Sequence, residues 1–275
     1  MSLPAALHLP FFQHAFVAIL FAGVAFPLIG VFIVSLSLVP LRFAMMHIAL
    51  LGGAVGLFLG FDPMLFALVF CALASTALGP LSEKTKMGLG TLSGFFMTLA
   101  LALAFIVFSR GKINVMDAFG ILWGNILSLA VWDLVLAIGT SIFIIMVVSL
   151  LFKEIQAILY DREIALSVGL PERRIYYLIV FVLGITVAVS MRLIGALLVD
   201  ALVLLPAIAA HMVARSLRQM FFLSSLFGLV SGLGGLFASL AVDVPASSAI
   251  ILFASAIIAV CILSRRRFTS HANNP

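Results

Sequence analysis

The chain has 275 residues, of which 65% are hydrophobic and only 9% charged, with a mean hydropathy of +1.35. Soluble domains carry roughly 25% charged residues, so this composition excludes a water-soluble globular protein and implies an all-α, polytopic membrane protein. The net charge of +5 and pI near 9.7 then report basic cytoplasmic loops, and with no aromatic–basic patch in the sequence no nucleic-acid partner is expected.

The opening residues, MSLPAALHLPFFQH, place no Lys or Arg ahead of the first apolar stretch, which argues against a cleavable signal peptide. A helix needs roughly 20 apolar residues to cross the hydrocarbon core. Runs of that kind predict nine spans, near 14–39, 43–60, 63–81, 87–109, 133–152, 176–191, 193–213, 219–240 and 245–263. Residues 118–132, AFGILWGNILSLAVW, are apolar but short and interrupted by Gly and Asn, as in a re-entrant segment or a further full span. With the N-terminus outside and the C-terminus inside, the cytoplasmic side holds Arg42, Lys84, Lys86, Lys153, Arg162, Arg173, Arg174, Arg215, Arg218 and Arg265–Arg267. Only Arg110, Lys112 and Arg192 are left outside, the asymmetry of the positive-inside rule.

Small residues recur at every fourth place in two regions: Gly52, Gly56 and Gly60, then Gly228 and Gly232 beside Ser231 and Gly235. Such ribbons let helix backbones approach closely in lipid, within one subunit or across a dimer seam. Cys71 and Cys261 lie in apolar runs without metal-type or disulfide spacing and are read as packing residues. No Gly-rich phosphate loop with its Lys occurs, so any ATP hydrolysis would belong to another polypeptide and the chain is expected to carry no catalytic residue.

The one long charged stretch is 153–175, KEIQAILYDREIALSVGLPERRI. Ile155, Ile158, Leu159, Ala165 and Leu166 recur at roughly helical spacing, Gly169 suits a C-terminal cap, and Pro171 prevents continuation. The pattern predicts a short amphipathic helix outside the membrane, either interfacial or a docking element for a cytoplasmic partner.

Four polar side chains in or near the spans can bind a cation through nitrogen or oxygen: His47, Asp133, Asp200 and His211. Asp200, about five residues into its span, is the most costly to bury as an anion. It is either a protonated acid bonded to a neighbouring helix or a group lining a polar path. Asp133 opens a span, where the helix dipole favours an acid, and is read as structural. His211 shares a helix face with Asp200 but lies roughly 16 Å along the axis, too far to share one ion, and is read as an anchor near the boundary. Met45 and Met46 are read as apolar filler. Pro206 is expected to bend its span and free a carbonyl.

YDREIALSVGLP resembles the segment joining two spans in the membrane subunits of ATP-binding-cassette importers for zinc, manganese and iron. RLIGALLVDALVLLPAIAAHMVA is similar to that family's glycine–apolar–alanine–leucine–proline span, with Gly195, Ala196, Leu197, Leu198, Pro206 and Ala207 in register. VDVPASSAIIL resembles the turn opening its last span, through Asp243, Pro245 and Ser247, and GNILSLAVWDL and MMHIALLGGAVG resemble two earlier stretches. The similarity covers roughly 15–263 and is most specific from 160 onward.

The resemblance implies a single permease domain over 1–275 in the inner or plasma membrane. It implies a homodimer, two separate ATPase subunits docking on the coupling segment (Asp161, Glu163, Ala165 and Gly169 among its residues), and an extracytoplasmic metal-binding protein. No cofactor is expected to be bound; a divalent zinc, manganese or iron ion is the cargo. The family histidine on the translocation path corresponds to His47. Its companion aspartate, one turn earlier, is Phe43 here; a small hydroxyl residue is Asp200, an acid is Lys86, and an arginine is His211. We expect Asp200 to replace the lost carboxylate, giving a His47–Asp200 ion site. A rival class, a secondary transporter coupling a proton through Asp200, predicts uptake without any nucleotide-binding partner. A membrane-embedded hydrolase has no nucleophile at suitable spacing among His47, Asp200 and His211.

Overall fold

In lipid every backbone N–H and C=O must be satisfied within its own segment, so the apolar runs become helices whose ends fall at Gly, Pro and Asp. The computed structural model describes residues 9–111, 129–167, 169–195 and 199–272. In chain order these form α1 (Pro10–Ser35), α2 (Val39–Leu59), α3 (Pro63–Thr85), α4 (Leu89–Arg110), α5 (Val131–Leu150), α6 (Phe152–Tyr160), α7 (Arg162–Ser167), α8 (Glu172–Ile194), a π-helical turn (Asp200–Leu204), α9 (Leu205–Val213), α10 (Leu217–Val242) and α11 (Ala246–Ala272). Among the described residues, eight helices are long and apolar enough to cross a membrane: α1 to α5, α8, α10 and α11. The apolar segment 118–132 lies outside the described residues up to position 128.

Local chemistry sets the boundaries. The first span ends at Ser35, earlier than expected, because Ser37 turns the chain at φ 54° and Pro40 enters the first turn of α2, where its missing N–H costs nothing. Asp62 caps α3 by accepting from the Met64 and Leu65 amides at 2.7 and 3.3 Å. At α5 the Asp133 carboxylate reaches back to the Ala130 amide at 3.0 Å, one half of a capping box.

The span expected at 193–213 has a different form. α8 continues to Ile194 and stops at Gly195, whose φ of 85° and ψ of 158° is a conformation essentially reserved for glycine. From Asp200 the backbone makes a π turn that runs into α9, the two together forming a shorter apolar helical stretch over Asp200–Val213. Pro206, at the start of α9, has no N–H to return to the Leu202 carbonyl, so the ladder widens just ahead of it.

The described chain divides into two compact units. One contains α1, α5 as far as Ile145, the π turn and α9 to α11; the other contains α2 to α4, the end of α5, and α6 to α8. In the first, Pro27 interrupts the α1 ladder and so frees the Gly23 carbonyl. α10 meets that defect: Ser224 and Ser225 donate to the Pro27 and Val24 carbonyls, each at 2.8 Å. Gly228 lies so close that a Cβ there would strike the Gly23 oxygen and the Pro27 ring. In the second unit, α2 and α3 approach at Gly52 and Gly56, where a Cβ would come within 2.6 Å of the Phe66 oxygen and 2.9 Å of Pro63 Cα. These contacts use both glycine ribbons within one chain. Gly60 does something else: at φ 75° it caps α2 and has open space around it.

Candidate functional site

His47 sits in α2, half-buried, with Nδ1 2.8 Å from the carbonyl oxygen of Phe43 one turn earlier. A carbonyl can only accept, so Nδ1 is the donor in this bond, and a neutral ring in this geometry carries its lone pair on Nε2, the atom then open to a metal ion. The hydrogen-bond partner of the ring at position 43 is thus the backbone carbonyl and not the side chain. Beside it, Arg42 is fully buried, its guanidinium 4.1 Å above the Phe43 ring centroid and its Nη1 donating to Met46 Sδ at 3.5 Å. The charge pattern marks Arg42 only as a cytoplasmic cation, while the adjacent Phe43 is the one sign in the sequence of a cation–π partner. Cys71 donates to the Met45 carbonyl at 3.4 Å and is buried, as is Cys261.

Asp200 belongs to the other unit. It is the first residue of the π turn, half-buried, with its Oδ1 shielded from solvent, while Val199, Ala201, Leu202 and Val203 beside it are completely buried. π turns inside helices recur at functional positions. His211 is exposed in the last turn of α9 and Asp133 is buried at the N-terminus of α5. Among the described residues, no three His, Cys, Asp or Glu side chains are grouped as a metal cluster.

The charged stretch holds two helices where one was expected. α6 buries Ile155 and Ile158 while Tyr160 is 85% exposed. Asp161 then adopts an extended backbone at φ −162°, and its carbonyl accepts from the Ala165 amide at 3.0 Å, so it opens α7 as an N-cap. Acids favour that position because they compete with the helix for local hydrogen bonds. Ala165 is buried and Leu166 exposed, and the side chain of Glu163 lies outside the described ones. At the far end Gly169 has φ 83°, with Leu170 N–H bonded to the Ala165 oxygen at 3.1 Å and Gly169 N–H to the Leu166 oxygen at 3.0 Å. That pair of bonds is a Schellman cap, as the glycine predicted. α8 follows directly, and its Arg173 reaches Glu83 at the end of α3, 3.8 Å away.

Residues 8–265 match the profile of the ABC 3 transport family. The chain is 30% identical over 250 residues to the manganese import system permease protein ScaB of Streptococcus gordonii, covering 91% of this chain and 90% of that one. It is 28% identical over 237 residues to the chelated iron transport system membrane protein YfeD of Yersinia pestis, covering 85% and 78%. Among solved structures, PsaBC from Streptococcus pneumoniae in complex with Fab superposes with a TM-score of 0.84 at 28% identity, over 98% of each chain.

Proposed function

Because the chain belongs to the ABC 3 transport family, we propose that it is the membrane permease subunit of an ATP-driven importer for a divalent transition-metal ion, with manganese as the first cargo to test and iron second. The observation that carries this reading is the match over 8–265, reinforced by the TM-score of 0.84 to PsaBC. The ATPase is a separate subunit, the permease acts as a homodimer, and an extracytoplasmic protein delivers the ion. The N-terminus is outside and the C-terminus in the cytoplasm. Tyr160 and Leu166, exposed apolar side chains on α6 and α7, support a docking role for 153–175. ATP-driven closure pulls on α6 and α7, and the tight Gly169 cap passes that movement to α8.

Within this reading His47 and Asp200 are path residues, each offering the passing ion a nitrogen or oxygen donor suited to manganese and iron(II). His47 is supported by the bond from Nδ1 to the Phe43 carbonyl, which leaves Nε2 as the free ring nitrogen, and Asp200 by its place at the head of the π turn. The chain is to be co-purified with its ATPase and reconstituted in liposomes. Manganese-stimulated ATP hydrolysis and ATP-dependent uptake are expected. Uptake by the chain alone, without any nucleotide-binding partner, would overturn the proposal in favour of proton coupling through Asp200.

A further inference from the structure

We infer that Gly30 is a positioning residue for Asp200: it leaves room for the Val203 carbonyl, so that the π turn can sit against α1 and hold the carboxylate where it is. This rests on Asp200 being a path residue. A π turn is intrinsically poor helix geometry and persists only where its surroundings determine it. Pro206 weakens the ladder from below, but weakening alone does not choose the π form; the facing helix must accept it.

At Gly30 it does. A Cβ added there would lie inside the contact distance of the Val203 oxygen, 2.8 Å from the Ala207 methyl and 3.0 Å from the Val203 carbonyl carbon. A flexible side-chain tip could swing away, but a backbone oxygen moves only with its turn. Gly30 lies inside α1 with ordinary helical backbone, so left-handed freedom is not what selects glycine. Helix propensity would prefer alanine there; the missing Cβ is the reason.

The displacement would reach the carboxylate. Asp200 is three residues before Val203 in the same turn, and Val199, Ala201, Leu202 and Val203 are all fully buried, leaving no slack to absorb a shift. Gly235 serves as a control: it is also a close approach to backbone in the same unit, but its Cβ would meet Ile250 of α11.

The test uses the complete importer in liposomes and manganese uptake by Gly30→Ala, Asp200→Asn, Gly235→Ala and the two double variants that include Asp200→Asn. Misplacing a functional group by about 1 Å commonly costs on the order of a hundredfold, so Gly30→Ala is expected to lose at least about tenfold. Its double variant should fall within about twofold of Asp200→Asn alone, since both remove one interaction, whereas Gly235→Ala should multiply with it. Position is read independently of transport by maleimide labelling of Asp200→Cys in a chain carrying Cys71→Ser and Cys261→Ser. Gly30→Ala should change that labelling rate and Gly235→Ala should not. Multiplying losses for Gly30→Ala, or an unchanged labelling rate, would overturn the positioning role while leaving Asp200 on the path. Wild-type uptake by Asp200→Asn would remove the path reading itself, and this inference with it. If Gly30→Ala does not purify as a monodisperse species, Ala207→Ser loads the same notch by one atom and must give the same pattern.

Discussion

The side-chain hydrogen bond of His47 runs to a backbone atom, the carbonyl oxygen of Phe43 one turn earlier. A neutral imidazole ligates through whichever nitrogen lacks the proton, and the hydrogen bond from Nδ1 to the Phe43 carbonyl makes that Nε2. Replacing the Phe43 side chain leaves this carbonyl in place but removes the ring over which Arg42 lies. Phe43→Ala should therefore keep manganese uptake while lowering stability by about 0.5–2 kcal/mol, read as a lower melting temperature in detergent. His47→Ala should reverse the pattern, with uptake abolished and melting temperature nearly unchanged. Equal loss of stability and uptake in both variants would mean that His47 is only a packing residue.

Among the elements, the α6–α7 pair depends on a cap more than on its own length. Six residues cannot hold a helix unaided, and α7 is bounded by the Asp161 carbonyl at one end and the Schellman bonds at the other. Gly169 has φ 83°, a conformation in which an L side chain is strained. Gly169→Ala should cost roughly 1–2 kcal/mol locally and reduce ATP-coupled uptake; Gly169→Asn, which tolerates that conformation better, should retain more of it. The comparison is made by hydrogen exchange over 161–170 together with liposome uptake. The α1–α10 contact tests a second kind of element. Ser224→Ala and Ser225→Ala remove hydroxyls bonded to the carbonyls around Pro27, and each should destabilise by roughly 0.6 kcal/mol, the average for such bonds between membrane helices. Chemical denaturation of the purified chain would measure both.

At the scale of the whole molecule, transport requires an energy source and a surface on which it acts. Tyr160 and Leu166 present apolar area outside the predicted spans, and a charge there would oppose burial against a partner. Tyr160→Asp or Leu166→Asp should abolish co-purification of the ATPase while the permease remains monodisperse. Retained co-purification would place the docking surface elsewhere.

Several features were legible from residue order because they rest on local chemistry. Composition requires a membrane protein, eight of the nine expected spans are crossing-length helices among the described residues, and Gly169 before Pro171 marks the cap that the backbone forms. Gly195, singled out only as part of a motif, ends α8 through a backbone angle that side-chain patterns do not display. Hydrophobicity along 193–213 is continuous, so it predicted an unbroken span; the π turn depends on a missing proline N–H and on a facing helix, Gly30 in α1, some 170 positions away. Likewise nothing in the order of residues says that the Phe43 carbonyl orients His47 or that two serines of α10 complete α1. Sequence alone determined which segments avoid water and where local caps stop them. Tertiary structure alone decided which backbone atoms face which side chains, because those contacts join positions that chain periodicity does not relate.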